Sequence, residues 1–407
     1  MPSTFGWVDF LAEDRQKMLD VVHLFREQDT RDELGLGTIR DAFSDHFFPG
    51  TSTVQTRVRY MLFVPWMYQR LEERKIPSAQ VAKKARGAET WLIDSLQRNE
   101  TGEGIIGSEA GKGLKRLPSN IYWSGLGAWG IRLFDGSQEE YHRSLDAHYR
   151  RQSSAALYAG EADDDLRDAA RRPNWHPGLP KRPKHFPEGA TFALTREEAV
   201  YLKDRILTRH SNALFAALLR NKKLFHAKFP WQLPAVAKLP ARLREDLVHA
   251  QNTSEVMHGA SLLYNLILSR MRQNEKWISR YEKQMGEWAD RIRHRKKELM
   301  RWHEHMDDFW NSSAFSNLHI SLPTKRFVGT WVKAAVASPG PRKVANHRPM
   351  IEAIRERESA LKGNRARARN PRALELWRGR SETRQFNYRW PVVSSYIRDI
   401  LKGLCNG

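Results

Sequence analysis

Apolar side chains recur three and four positions apart along almost the whole chain, and this period constrains the fold more than any other feature, because it builds amphipathic helices. Residues 13–28 place Met18, Val21, Val22 and Phe25 at that spacing. A second helix over 38–48 is stopped by Pro49-Gly50, and Thr51-Ser52-Thr53 then offer capping hydroxyls to a helix over 54–75. Pro65 lies within that stretch, lacks a backbone donor, and should kink or break it. Val81, Ala85, Ala88, Leu92 and Leu96 form the inward face of a helix over 78–98. Capping boxes mark two further starts, Ser137 with Glu140 and Thr195 with Glu198. After the second box the spacing predicts helices over 199–210, 212–222, 254–272, 276–310, 324–337, 348–362 and 392–404. The expected fold is mainly α.

Residues 99–136 read differently. A glycine-rich turn leads to Leu117-Pro118-Ser119, then a helix over 120–129, a stop at Gly130, and the strand-like run Ile131-Arg132-Leu133-Phe134. That order fits a winged helix-turn-helix over 104–134, with Asn120 on the recognition helix and Lys112, Lys115 and Arg116 at its approach for phosphates. An ordinary helical hairpin is the alternative, since Gly125 and Gly127 weaken the helix. Periodicity disappears over 159–190, where Asp163, Asp164 and Asp165 precede prolines 173, 177, 180, 183 and 187. This stretch reads as a linker or surface loop. Four parts follow: an N-terminal helical domain over 1–158, the proline-rich basic linker, a C-terminal helical domain over 191–340, and an arginine-rich region over 341–407.

The 407 residues include 68 Lys plus Arg against 47 Asp plus Glu, a net charge of +21 that draws polyanions. Nucleic acid, DNA first, is the expected partner, bound through phosphates. A basic face meeting an acidic protein is the alternative. The excess is concentrated over 341–390, which holds fourteen Lys or Arg against five Glu. Arginine dominates there, and its planar fork suits phosphate. The candidate contacts in this region are Arg365, Arg367, Arg369, Arg372, Arg378 and Arg380. Arg57 and Arg59, after three hydroxyl residues at a helix start, make a second candidate anion site. Capping with ion pairs to Asp29, Asp32 and Asp41 would explain them equally well. The lone cysteine, Cys405, excludes an intrachain disulfide framework and multi-cysteine metal sites, and fits a reducing cytosol. Mean hydropathy is −0.66, and neither a membrane span nor a secretory signal is visible, so a cytoplasmic protein is expected.

The search for chemistry assembles no catalytic site. Gly111-Lys112 fails the phosphate-loop pattern at both ends. His226-Ala227-Lys228 matches the start of a phospholipase-D-type motif, but Leu233 stands where Asp is needed. His303, Asp307 and Asp308 form the densest ligand-like cluster, although His303 and His305 would point about 200° apart on a helix. Glu73 and Lys75 give a Glu-x-Lys on the wrong element, and His258 reads as a hydrogen-bonded core residue rather than a base. No metal or cofactor is expected. A divergent metal-dependent nuclease using His303, Asp307, Asp308 or Glu73 remains the enzymatic alternative.

Several segments together carry a resemblance: Gly6-Trp7-Val8-Asp9-Phe10, Asp29-Thr30-Arg31-Asp32-Glu33-Leu34-Gly35, and Phe48-Pro49-Gly50-Thr51-Ser52-Thr53 with Arg57, Arg59 and Tyr60. Leu117-Pro118-Ser119 with Tyr122-Trp123, Trp129-Gly130-Ile131 and Tyr388-Arg389-Trp390 extend it. Over most of its length the chain resembles a bacterial family catalogued as domain of unknown function 6361. Members of that family look like neighbours of helicases and phospholipase-D-type nucleases in mobile defence loci. The resemblance implies a part in handling foreign DNA and supplies no catalytic residues. The leading expectation is a non-catalytic nucleic-acid-binding subunit of an antiphage system that docks a helicase or nuclease through tryptophan-containing surfaces.

Overall fold

The computed structural model describes residues 32–108, 113–114, 116–157, 173–221, 226–337 and 341–406. Among them the chain is mainly helical and forms no strand. The helix expected over 13–28, the acidic patch at Asp163–165, and Lys112 and Lys115 lie outside the described residues. Contacts divide the chain into two units, neither continuous in sequence. One combines the residues up to Ala42 with 246–386, and the other combines 43–245 with the stretch from Asn387 onward. The divisions fall inside α1 (Gly37–Phe47) and α8 (Ala241–Met271).

In the second unit α2 (Tyr60–Glu73) is the core element, with Tyr60 through Tyr68 all buried. A helix apolar on every side must be surrounded. It starts at Tyr60, six residues later than the capping hydroxyls suggest, because Thr51 Oγ1 donates to the Phe48 carbonyl instead (2.6 Å). Pro65 sits inside α2, which continues to Glu73. α3 (Ser78–Asn99) and α4 (Pro118–Ala128) pack on α2, and α5 (Gln138–Leu157) packs on α3. α6 (Arg196–Arg209) begins at its capping box, with Thr195 Oγ1 accepting from the Glu198 amide (3.2 Å). α7 (Leu214–Arg220) and α15 (Trp390–Cys405) pack beside it. Gly403 allows that approach, since a Cβ there would lie 2.8 Å from Ala199 and Leu194.

The proline-rich residues 173–190 carry no regular element, yet they are packed into this unit. The Trp66 indole donates to the Pro180 carbonyl (2.8 Å), and Phe186 stacks on Phe63 at 5.6 Å between centroids. Ile131-Arg132-Leu133-Phe134 makes only an isolated antiparallel bridge, Arg132 to Trp175, so no β-wing follows α4 among the described residues.

In the first unit the α8 residues from Asp246 onward form the core, with Met257, Ala260, Leu263 and Leu266 fully buried. Around them stand α9 (Glu275–His294), α10 (Lys296–Glu304), α11 (Met306–Trp310), α12 (Leu322–Val336), α13 (Arg348–Lys362) and α14 (Pro371–Glu375). The single helix expected over 276–310 is interrupted at Arg295 and His305, giving α9, α10 and α11. Trp288 and Trp331 donate to the Glu255 and Val256 carbonyls at 2.9 Å, tying α9 and α12 to α8. No helix of the described residues is long and apolar enough to cross a membrane.

Candidate nucleic-acid interface

A cation can serve a polyanion only if the fold has not already neutralised it, so the candidates separate by their partners. In the second unit Arg57 grips Asp399 through two hydrogen bonds of 2.9 Å and lies over the Phe192 ring at 4.6 Å. Arg59 is buried and pairs with Glu198 at 2.7 Å, while its other terminal nitrogen donates to the Thr191 carbonyl (2.8 Å). Both arginines therefore clamp helices together. Their partners lie far away in sequence; neither Asp32 nor Asp41 is among them, and Asp29 lies outside the described residues.

At the start of α4 the Asn120 side-chain oxygen Oδ1 accepts from the Leu117 amide (3.1 Å), and its side-chain Nδ2 donates to Gln138 Oε1. It works as a helix-start residue. Tyr122, Trp123, Gly125 and Leu126 are buried, and Asn120 and Ser124 are the exposed residues of this helix. The α4 backbone is pressed onto Pro49-Gly50, so a Cβ on Gly125 would meet the Gly50 carbonyl oxygen at 2.4 Å. Arg116, just before the helix, is exposed.

The arginine-rich region of the first unit divides in two. Glu33 and Glu358 are buried beside Tyr264, whose hydroxyl donates to Glu358 at 2.6 Å. Arg367 pairs with Glu33 at 2.7 Å, Lys362 pairs with the same carboxylate, and the Arg367 and Ala368 amides donate to Glu358. Arg357 is also buried and donates to the Leu34 carbonyl and to Thr324. These cations balance internal acids and carbonyls. Burial, followed by the charge of Glu358, pushes the Tyr264 phenol far above its ordinary range, so it stays a donor.

Arg369, Arg372, Arg378, Arg380 and Arg384 are exposed, and none has a carboxylate within ion-pair reach among the described residues. Arg365 is exposed as well. The loop carrying Arg378 and Arg380 is anchored on α9. Trp377 meets Trp277 edge-on at 5.1 Å, and Gly379 lies so close to the Trp277 ring that a Cβ would come within 2.4 Å. The Tyr281 hydroxyl donates to the Gly379 carbonyl (2.6 Å). Burial raises the Tyr281 pKa, while the guanidiniums of Arg280 on α9 and of Arg380 pull it back down.

Sequence reasoning overlooked a second cationic feature, a groove of about 500 Å³ between α2 and α3 in the second unit. Its signals were Arg70 and Arg74 one turn apart and the adjacent pair Lys83-Lys84, ahead of Trp91. The enzymatic candidates do not converge. His303 lies on α10 and the aspartates on α11, and no three acidic, histidine or cysteine side chains are placed to share an ion among the described residues. Glu73 pairs with Arg182 at 3.0 Å, and His258 Nε2 donates to the Thr383 carbonyl. The tryptophans serve the core: of those described, only Trp91, Trp231, Trp277 and Trp310 are even half-exposed.

No curated protein and no solved structure matches the chain. The profile of a family described as "Family of unknown function (DUF6361)" matches residues 2–403, nearly the whole length, and the chain belongs to that family.

Proposed function

We propose that this protein is a non-catalytic nucleic-acid-binding subunit of a bacterial antiphage system, holding DNA by its phosphates while docking a helicase or nuclease. One observation carries the reading: Arg369, Arg372, Arg378, Arg380 and Arg384 stand exposed with no carboxylate within ion-pair reach among the described residues. Like charges left close together are relieved by an external anion, and guanidinium forks suit phosphate oxygens. Nothing in the stretch offers a base-reading element, so the binding is sequence-independent. Half-exposed Trp231, Trp277 and Trp310 are the indoles left for a protein partner. A winged-helix role for 104–134 would have to act through Asn120, Ser124 and Arg116.

The test replaces Arg369, Arg372, Arg378 and Arg380 together by Glu and measures duplex binding across a salt series. Each lost phosphate contact lowers the slope of log affinity against log salt by about 0.9, so the variant should lose a slope of about 3 to 4 and most of its affinity. Arg367→Ala, by contrast, should cost stability, because it strips the buried Glu33 of a partner. Unchanged affinity and slope in the quadruple variant would overturn the proposal. Binding of an acidic protein, with no nucleic acid retained at low salt, would favour the scaffold reading instead.

A further inference from the structure

The groove between α2 and α3 combines features that the arginine stretch lacks. Met67, Arg70 and Leu71 on α2, with Arg74 at its C-terminal cap, line one side of it, at the spacing of successive helical turns. From α3 come Lys83, Lys84 and Trp91, with Gly87 and Ala88 between them. Phe186-Pro187 closes one end. The small residues leave the floor open, and a Cβ on Gly87 would meet nothing within 4 Å. Trp91 is half-exposed, and the Arg70 guanidinium lies 5.1 Å from its ring centroid, held by a hydrogen bond to the Phe186 carbonyl. No carboxylate lines the groove, and the nearby Glu73 is engaged by Arg182. Burial, then the charges of Arg74 and Arg182, lower the Arg70 pKa, against the opposing pull of Glu73.

An apolar, aromatic floor rimmed by four cations fits a ligand that is flat and aromatic on one side and anionic on the other. We propose that this groove takes one unstacked nucleotide of a single-stranded nucleic acid, its base against Trp91 and its phosphates on Arg74, Lys83 and Lys84. The volume suits a single nucleotide better than a duplex, whose bases are already stacked. The inference deepens the nucleic-acid reading and rests on it. It adds a preference for unpaired strands that phosphate contacts alone cannot give.

The experiment compares a labelled ten-residue oligothymidylate with an abasic strand of the same length by fluorescence anisotropy. Wild type should bind the thymidylate about 5- to 100-fold more tightly, the range for one base on an aromatic ring. Trp91→Ala should bring that ratio to about one, and Trp91→Phe should keep most of it. Gly87→Leu should also abolish the ratio without harming the fold, because its side chain enters open space and leucine is the better helix former. Abasic binding should be unchanged in all three variants. A wild-type ratio of one, or a ratio unmoved by Trp91→Ala and Gly87→Leu, would overturn the groove assignment and leave the arginine stretch standing. Failure of both strands to bind would overturn both. Thymidine monophosphate competing as well as the oligomer would assign the groove to free nucleotides and refute the strand.

Discussion

Arg59 decides whether the start of α2 is an anion site or a structural clamp. Its guanidinium is buried between Glu198, at 2.7 Å, and the Thr191 carbonyl. Glu198 is equally buried and keeps only the Thr195 amide (3.0 Å) as a second donor. Arg59→Met would therefore leave a carboxylate in low dielectric with one hydrogen bond. Breaking a buried pair from one side costs about 3 to 5 kcal/mol, and the surviving Thr195 contact places the expected loss near 3 kcal/mol. For a folding unit of roughly 200 residues that lowers the melting temperature by about 6 to 12 °C. Adding Glu198→Gln removes the stranded charge, and the double variant should recover most of the loss. Urea and thermal unfolding followed by tryptophan fluorescence give the four corners of the cycle, and a coupling of at least about 2 kcal/mol is expected. DNA affinity at 25 °C, where the single variant is still folded, should stay within twofold of wild type. A Met variant with unchanged melting temperature and weakened DNA binding would refute the clamp and restore the anion site.

Glu89 and Gly259 offer independent checks. Burial pushes the Glu89 carboxyl up to about 7, against the opposing pull of two hydrogen bonds from Ser119, at 2.7 and 2.8 Å. The folded state then holds a proton that the unfolded chain releases near its ordinary value. Stability from this group is present at acidic pH and is lost as pH rises from about 4.5 to 7, by up to about 3 kcal/mol. Urea midpoints across that window should slope downward in wild type and flatten in Glu89→Gln; equal slopes would disprove the assignment. A Cβ on Gly259 would lie 2.3 Å from the Trp288 ring, which is fully buried and fixed by its bond to the Glu255 carbonyl. Gly259→Ala should destabilise by about 1 to 3 kcal/mol, whereas Gly286→Ala on α9, where nothing lies within 4 Å, should stabilise by roughly 0.5 to 1 kcal/mol. Matching melting temperatures for the two variants would contradict the packing described.

Much of the helical framework was legible because its signals are short-range. Both capping boxes mark true helix starts: Ser137 accepts from the Glu140 amide at the head of α5, just as Thr195 accepts from Glu198 at α6. The described part of the proline-rich stretch, residues 173–190, shows where such signals end. Its missing periodicity correctly indicated no helix, but periodicity carries no information on whether Trp175 and Phe186 find a core to enter. The candidate interface was legible as charge and illegible as surface. Arg367 and Arg369 are two residues apart in the same basic run, yet one neutralises Glu33 and the other stands in solvent.

By itself, then, the amino-acid order determined the mainly helical class, several helix boundaries and the large cationic excess, all of which depend on interactions among residues a few positions apart or on simple composition. Only the tertiary structure decided which cations are spent inside and which stand exposed. An ion pair such as Arg57 with Asp399 joins residues 342 positions apart. Whether a guanidinium is desolvated against a carboxylate or left facing water depends on what the folded chain brings alongside it, and no local pattern encodes that neighbour.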